Sequence, residues 1–445
     1  MADASLIDGL VAHIADLQAV RPVGRVSGVE GSTLYVTGLT ADASIGDRLQ
    51  VYRKRGAPLC GEVVQIIGET LVMLAEAPPE GASLNDKVVL ISSGVIAPSN
   101  AWLGRIVDPD GHPLDGKPLL RGSVARRLLC PPPDAAKRCA FGNRLSTGLA
   151  VTNTMLPLVQ GQRMGLFAGS GVGKSTLLGQ FARHVSADIV VIAMIGERGR
   201  ELRHFVDTVL GPEGMARAVV VAATSDQSPL LRRRCAWTAM AVAEHYRDEG
   251  HSVLFLADSI TRFAEAHREV AVAAGEAPVL RGYPPSTTHL ITSLCERAGP
   301  GTATQGDITA LFSVLVAGSD MDEPIADILR GVLDGHIVLD RAIAERGRFP
   351  AVDVLRSVSR SLPAAADKRE NGLLSLTRKM LSLYDENAMM IRAGLYSQGS
   401  DPEIDKAIQL YPELEAFLAK VEPDDVHRSF SQLELILRRA GLSTA

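Results

Sequence analysis

One stretch of this chain constrains its fold more than any other. An apolar run, Arg163–Phe167, leads into Ala168-Gly169-Ser170-Gly171-Val172-Gly173-Lys174-Ser175-Thr176, and Leu177-Leu178 follow. A strand that enters a glycine-rich turn and leaves it as a helix aims backbone N–H groups inward as an anion nest. The helix adds the positive end of its dipole. Lys174 then brings a charge to the β- and γ-phosphates, and the Ser175 hydroxyl can ligate Mg2+. The strict pattern opens with Gly; Ala168 holds that place, which needs only a small residue. Phosphate binding is therefore assigned to Gly169, Ser170, Gly171, Val172, Gly173, Lys174, Ser175 and Thr176, a Walker A loop.

The surroundings agree with this reading. From about 145 to 360, apolar runs alternate with helical stretches: Arg163–Phe167, Ile189–Ile195, Ala218–Ala222, Ser252–Ala257, Ile308–Val316 and Gly335–Leu339. Continuous apolar strands between helices predict a mostly parallel sheet covered on both faces. Residues 22–93 differ. Short β-rich runs (Val23–Val29, Ser32–Val36, Asp47–Tyr52, Gly61–Gly68, Thr70–Ala75, Lys87–Ile91) predict a small antiparallel barrel or sandwich. Residues 94–135 read as a Gly- and Pro-rich connector.

From about 372 the pattern is helical. Asp401-Pro402-Glu403 marks one helix start, and Asp424 or Asp425 another, whose apolar face includes Phe430, Leu433, Leu435, Ile436 and Leu437. At the other end, Leu6, Ile7, Leu10, Val11, Ile14 and Leu17 fall on one helical face. That face suits either packing on its own chain or docking on a partner. The expected organisation is an N-terminal amphipathic helix (1–20), a β-barrel (21–93), a nucleotide-binding α/β domain with its connector (94–371) and a C-terminal α-helical domain (372–445).

Composition excludes several classes. The net charge is −5 and aromatics are 4% of 445 residues, which argues against a nucleic-acid partner. The five cysteines are far apart and lack CxxC spacing, so neither a zinc site nor a disulfide framework is expected and a reducing cytoplasm is the simplest compartment. No apolar run approaches membrane-spanning length, and MADASLIDGL has neither the basic nor the long apolar region of a secretory leader.

Three further elements bear on hydrolysis. Val253–Asp258 is an apolar strand ending in an acid that can hold Mg2+ through water, or simply cap the next helix. Ile189–Ile195 ends in Gly196-Glu197-Arg198-Gly199-Arg200-Glu201. An acid at a strand's C-terminal end can orient and polarise an attacking water; the alternative is a solvated charged turn. Arg360, in Leu355–Pro363, is either a surface or interface ion-pair residue or a finger for a neighbour's γ-phosphate.

These residues resemble a known family over nearly the whole chain. AGSGVGKSTLL, IGERGRE, ATSDQSPLLR, FLADSITRFAEAHREV, GEAPVLRGYPPS, DMDEPIADILRGVLDGHIVLDR and GSDPEIDKAI are similar to the ATPases of type III protein export, relatives of the rotary ATP synthase catalytic subunit. Among those, the flagellum-specific ATPases are the nearest in pattern. The resemblance implies a homohexamer with ATP between subunits, a RecA-like central domain, and Mg2+ at Ser175 and Asp258. It implies that Glu197 activates water, that Lys174 and Ser175 serve phosphate and metal, that Arg198 assists phosphate and subunit communication, and that Arg360 acts in trans.

Its expected partners are a stator-like regulator on the N-terminal helix, a central stalk-like protein, the membrane export gate, and export substrates with their chaperones. The expected location is cytoplasmic, peripheral at the inner membrane. The equivalent ATPase of a virulence injectisome is the near alternative. A hexameric nucleic-acid translocase and a non-enzymatic nucleotide-binding ring subunit are the alternatives of other classes. Asp307 stands where relatives usually carry a small hydroxyl residue, Asn153 replaces a common Asp, and no adenine-stacking aromatic is evident around Glu370–Asn371.

Overall fold

The computed structural model describes residue 14 and residues 20–91, 94–279, 281–316, 323–422 and 425–442. Apart from Ile14 and Val20, the helix expected over 5–20 lies outside the described residues. Six strands follow: β1 (Val23–Glu30), β2 (Thr33–Thr37), β3 (Arg48–Tyr52), β4 (Leu59–Ile67), β5 (Thr70–Ala75) and β6 (Lys87–Ile91). They close into an antiparallel barrel in the order β1-β2-β5-β4-β3-β6. Alternation turns Leu34 and Val36, and Leu49 and Val51, inward, where they meet Val26, Val63, Leu71 and Met73. Closure removes the exposed edges that a sandwich of such short strands would keep.

The connector does more than link. β7 (Val95–Ile96) pairs with β9 (Arg126–Arg127), and between them β8 (Arg105–Val107) joins the edge of the central sheet. That sheet also contains β10 (Arg163–Ala168), β11 (Ile189–Glu197), β12 (Ala218–Thr224), β13 (Val253–Asp258), β14 (Gly299–Pro300), β15 (Asp307–Leu315), β16 (Gly335–Leu339) and β17 (Val352–Ser359). The order is β17-β16-β10-β15-β13-β11-β12-β8, with β14 paired to β15. Every pairing from β16 to β8 is parallel. The pattern reading does not identify β17, which is an antiparallel edge strand with Leu355 and Val358 exposed.

The helices are α1 (Ala150–Asn153), α2 (Lys174–His184), α3 (Gly199–His204), α4 (Gly211–Ala216), α5 (Pro229–Asp248), α6 (Ile260–Ala273), α7 (Ser286–Arg297), α8 (Pro324–Val332), α9 (Arg341–Glu345), α10 (Lys368–Arg392), α11 (Pro402–Leu418) and α12 (Val426–Arg439). One face of the sheet packs on α2 and the C-terminal helices through Leu177, Phe181, Leu373, Leu414 and Phe430. The other packs on α5 to α8 through Ala239, Phe263, Ile291 and Leu329. Among the described residues no helix is long and apolar enough to cross a membrane.

The helical region opens at Lys368, ahead of 372, because Asp367 and Glu370 form a reciprocal capping box. Asp401 and Asp425 cap α11 and α12. Leu435 is not on the packed face of α12; it is 52% exposed, while Leu433 and Leu437 are buried.

Two polar junctions fix the parts against each other. Asn153 is fully buried: its Oδ1 accepts from the Thr147 amide and hydroxyl, and its Nδ2 donates to the Glu422 carbonyl at 3.1 Å and to Ser429 Oγ at 3.3 Å. An amide satisfies both sides of this junction, whereas a carboxylate would leave the Glu422 carbonyl facing an acceptor. Between barrel and central domain, Glu62 of β4 accepts from Arg233 at 2.6 Å and Arg234 at 3.1 Å, all three buried. Glu62→Ala should leave two buried guanidinium groups short of a partner and lower the first unfolding transition by about 3 kcal/mol. Chemical denaturation followed by circular dichroism measures this, and an unchanged midpoint would show the pair to be dispensable.

Candidate active site

The carboxyl ends of the parallel strands share one side of the sheet, where ligands of such sheets bind. A cleft of about 1180 Å³ opens there. It is lined by Gly169 to Thr176, by Glu197, Arg198 and Glu201, and by Arg262, Arg268, Tyr283 and Arg341. β10, buried from Met164 to Ala168, delivers the glycine-rich turn, and Gly173, with φ of +90°, caps α2. A side chain at Gly173 would be strained and would crowd the Phe349 ring, 3.4 Å from the Cβ position.

Lys174 donates through Nζ to Asp258 Oδ1, and Ser313 Oγ donates to the same oxygen at 2.7 Å. Asp258 is 2% exposed at the end of β13. Ser175, in the first turn of α2, lines the cleft, and its hydroxyl and the Asp258 carboxylate are hard oxygen donors of the kind that suits Mg2+.

Glu197 owes its direction to a bulge. The β11–β12 register shifts between Ile195 and Glu197, and Gly196 there has φ of +68°. A bulge bends the strand and re-aims the next side chain. Glu197 is buried, and Arg262 Nε lies 3.3 Å from its Oε1. Burial, the neighbouring Glu201 carboxyl and the Asp258 charge push its pKa up to about 7, while Lys174 and Arg262 pull the other way. Arg198 is largely exposed and pairs with Glu201 at 3.6 Å.

Arg360 is not in this cleft. Its amide donates to the Asp334 carbonyl, its Nη2 to the Arg330 carbonyl at 3.1 Å, and its side chain is exposed. Ser359 pairs with Gly335, and Asp334 bonds back to Arg163, the first residue of β10. Arg360 therefore sits a strand's length, about 17 Å, from the phosphate loop of its own chain.

The loop, the acid at Glu197 and the buried Asp258 stand together at one end of the sheet, and comparison with known proteins settles the family. Residues 148–359 match the ATP synthase alpha/beta family, nucleotide-binding domain, and residues 366–434 match the T3SS EscN ATPase C-terminal domain. The flagellum-specific ATP synthase of Caulobacter vibrioides is 44% identical over 438 residues, covering 96% of this chain and 99% of that protein. The chain belongs to the flagellum-specific ATP synthase family. It is an ATPase.

The flagellum-specific ATP synthase of Salmonella typhimurium is 42% identical, covering 97% of each chain. Assembled EscN, an ATPase of the enteropathogenic E. coli type III secretion system, superposes with a TM-score of 0.86 at 34% identity, covering 93% of this chain and all of that one. EscN in complex with its central stalk EscO gives 0.84, also at 34% identity and with the same coverage.

For this flagellum-specific ATP synthase family member, sequence reasoning missed three site residues. Arg262 stands in the first turn of α6, beyond Asp258, where the family motif carried it unremarked. Arg341 donates from its Nη2 to the Ser170 carbonyl at 3.1 Å. Phe349, 52% exposed, lies beside Gly173, so an aromatic does stand at the loop, though not near Glu370–Asn371. The exposed aromatic in Arg348-Phe349-Pro350 was the available signal.

A carboxylate that must accept a proton works only when ionised. kcat/KM for ATP should therefore fall as pH drops through about 7. Arg262→Gln removes a cation that holds Glu197 ionised, so the acidic limb should move to higher pH. A pH–rate profile in which the limb stays put in Arg262→Gln would separate it from Glu197.

Proposed function

We propose that this ATPase energises type III export of flagellar proteins, hydrolysing Mg-ATP at subunit interfaces of a homohexamer. The observation that carries the interface part is the separation of Arg360 from its own cleft. Lys174, Glu197 and Asp258 sit at one end of the sheet, and the exposed Arg360 at the other. A chain that holds both halves of a site, too far apart to meet, can complete it only with another copy.

In this reading Gly169 to Gly173 and the start of α2 bind the phosphates, and Lys174 turns to the β- and γ-oxygens. Ser175 and Asp258 hold Mg2+, which when bound neutralises charge on the phosphates. Glu197, poised near neutrality by burial, orients and polarises the attacking water. Arg198 assists the phosphate side, and Arg360 of the adjoining copy meets charge developing on the γ-phosphate. Phe349 offers the base a face to stack on, worth about 1–3 kcal/mol.

Identity of 39–44% over nearly the whole chain to the flagellum-specific relatives, against 34–38% to the type III secretion ATPases of known structure, supports the flagellar assignment over the injectisome. The EscN likeness favours the injectisome as the second reading. The proposed setting is the cytoplasmic face of the inner membrane, with a stator-like regulator on residues 1–20, a central stalk-like protein, the export gate, and substrates with chaperones as partners.

Lys174→Ala and Glu197→Gln should each lower turnover by about 10³-fold, the second with ATP binding retained. Specific activity should rise with protein concentration. Arg360→Ala should be nearly inactive alone and regain turnover when mixed with Lys174→Ala, since hybrid rings contain intact interfaces. Absence of complementation in assembled mixtures would sink the shared-site reading.

A further inference from the structure

The segment Asp340–Pro350 touches the phosphate loop on one side and the C-terminal helices on the other. On the loop side, Arg341 donates to the Ser170 carbonyl and the Phe349 ring lies beside Gly173. On the helical side, Arg346 Nη1 donates to the Tyr411 hydroxyl at 3.3 Å, and Tyr411 stacks on Tyr384 of α10 with ring centres 3.6 Å apart. Arg348, immediately before Phe349, is 9% exposed, and its Nε lies 3.4 Å from Glu415 Oε2 of α11. Its Nη2 donates to the Val352 carbonyl at 2.7 Å.

A guanidinium this deeply buried needs its counter-charge. The backbone that carries Phe349 is therefore fixed to α11 one residue away from the ring. A displacement of α11 moves Arg348, and with it the face that Phe349 presents beside the loop. The phosphate loop itself runs between β10 and α2, whereas Glu415 faces Arg348.

We infer that Arg348 and Glu415 are positioning residues for the nucleotide base: through this ion pair the C-terminal helices set how firmly Phe349 is held beside the phosphate loop, and so set ATP affinity separately from phosphate chemistry. The inference rests on the reading of Phe349 as the base platform. It gives the C-terminal domain direct control over nucleotide retention.

The test compares ATP with Mg·tripolyphosphate, which has the phosphates and no base. Full-length protein is assayed at a concentration where activity per chain is maximal, with KM and kcat for ATP and the inhibition constant of tripolyphosphate as readouts. Glu415→Gln removes the charge from a partly exposed position and keeps the shape. It should raise KM for ATP about fivefold, change kcat by less than about twofold and leave tripolyphosphate inhibition unchanged. Arg348→Lys, which keeps the charge, should fall between wild type and Glu415→Gln.

Phe349→Ala is the reference. It should raise KM for ATP at least as much, again without affecting tripolyphosphate. If Phe349→Ala shows that split and Glu415→Gln does not, the positioning role is overturned while the base platform stands. If both ligands weaken together in Glu415→Gln, the pair supports the loop as a whole and the inference is overturned. If Phe349→Ala itself leaves the ratio unchanged, the base platform reading fails, and the positioning role with it.

Discussion

The site depends on how one buried carboxylate is neutralised. Asp258 is almost wholly inaccessible at the end of a central strand, and an ion there is costly without a partner. Lys174 from the phosphate loop and Ser313 from the next strand supply that partner. The loop is thereby anchored to the sheet by charge as well as by chain connection. A nucleotide that recruits Lys174 to its phosphates removes the counter-charge, and Asp258 then needs another cation. The Lys174 pair and the proposed Mg2+ would be alternative answers to one electrostatic demand, and metal and phosphate binding would then be coupled. The same two groups act in opposition on Glu197, Asp258 raising its pKa and Lys174 lowering it.

Topology delivers these groups together. Parallel pairing puts Ala168, Glu197, Asp258 and Leu339 at one end of the sheet, although the chain between the first and last of these is long. Two glycines then do what strand geometry alone does not. Gly173 lets the chain pass into α2, and Gly196 makes the bulge that directs Glu197 into the cleft. Both have positive φ, so the arrangement of the candidate site is written partly in backbone conformation that other residues resist.

The parts of this structure that were legible in the sequence are those whose signal is local. The Ala168–Thr176 loop, the apolar strands around it, the barrel runs and the Asp401 cap each announce themselves within a few residues. Family resemblance suggested roles that spacing could not, including the one proposed for Arg360. What escaped was set by distant contacts. Arg341 and Arg262 look like ordinary helix charges until folding brings them to Ser170 and Glu197. β17 has a mixed pattern because an edge strand faces solvent on one side. Asn153 looked like a departure from the family, yet its amide is satisfied on both sides by Thr147 and the Glu422 carbonyl. The capping box at Asp367 was readable and was overlooked.

The placement of Arg360 also constrains the symmetry of any assembly that uses it. The cleft and the arginine occupy different surfaces, at opposite ends of the sheet. A contact that joins one to the other is heterologous, head to tail, and leaves each new copy with an open cleft or an open arginine until the chain of copies closes. A ring satisfies every site. This gives a geometric reason why a relative such as EscN is found assembled. It also locates where asymmetry can enter, because β16 and α9, which carry Arg341 to the loop of one cleft, are continuous with β17, which carries Arg360 toward the next. In the proposed ring, nucleotide occupancy felt at Ser170 would therefore have a short covalent path to Arg360.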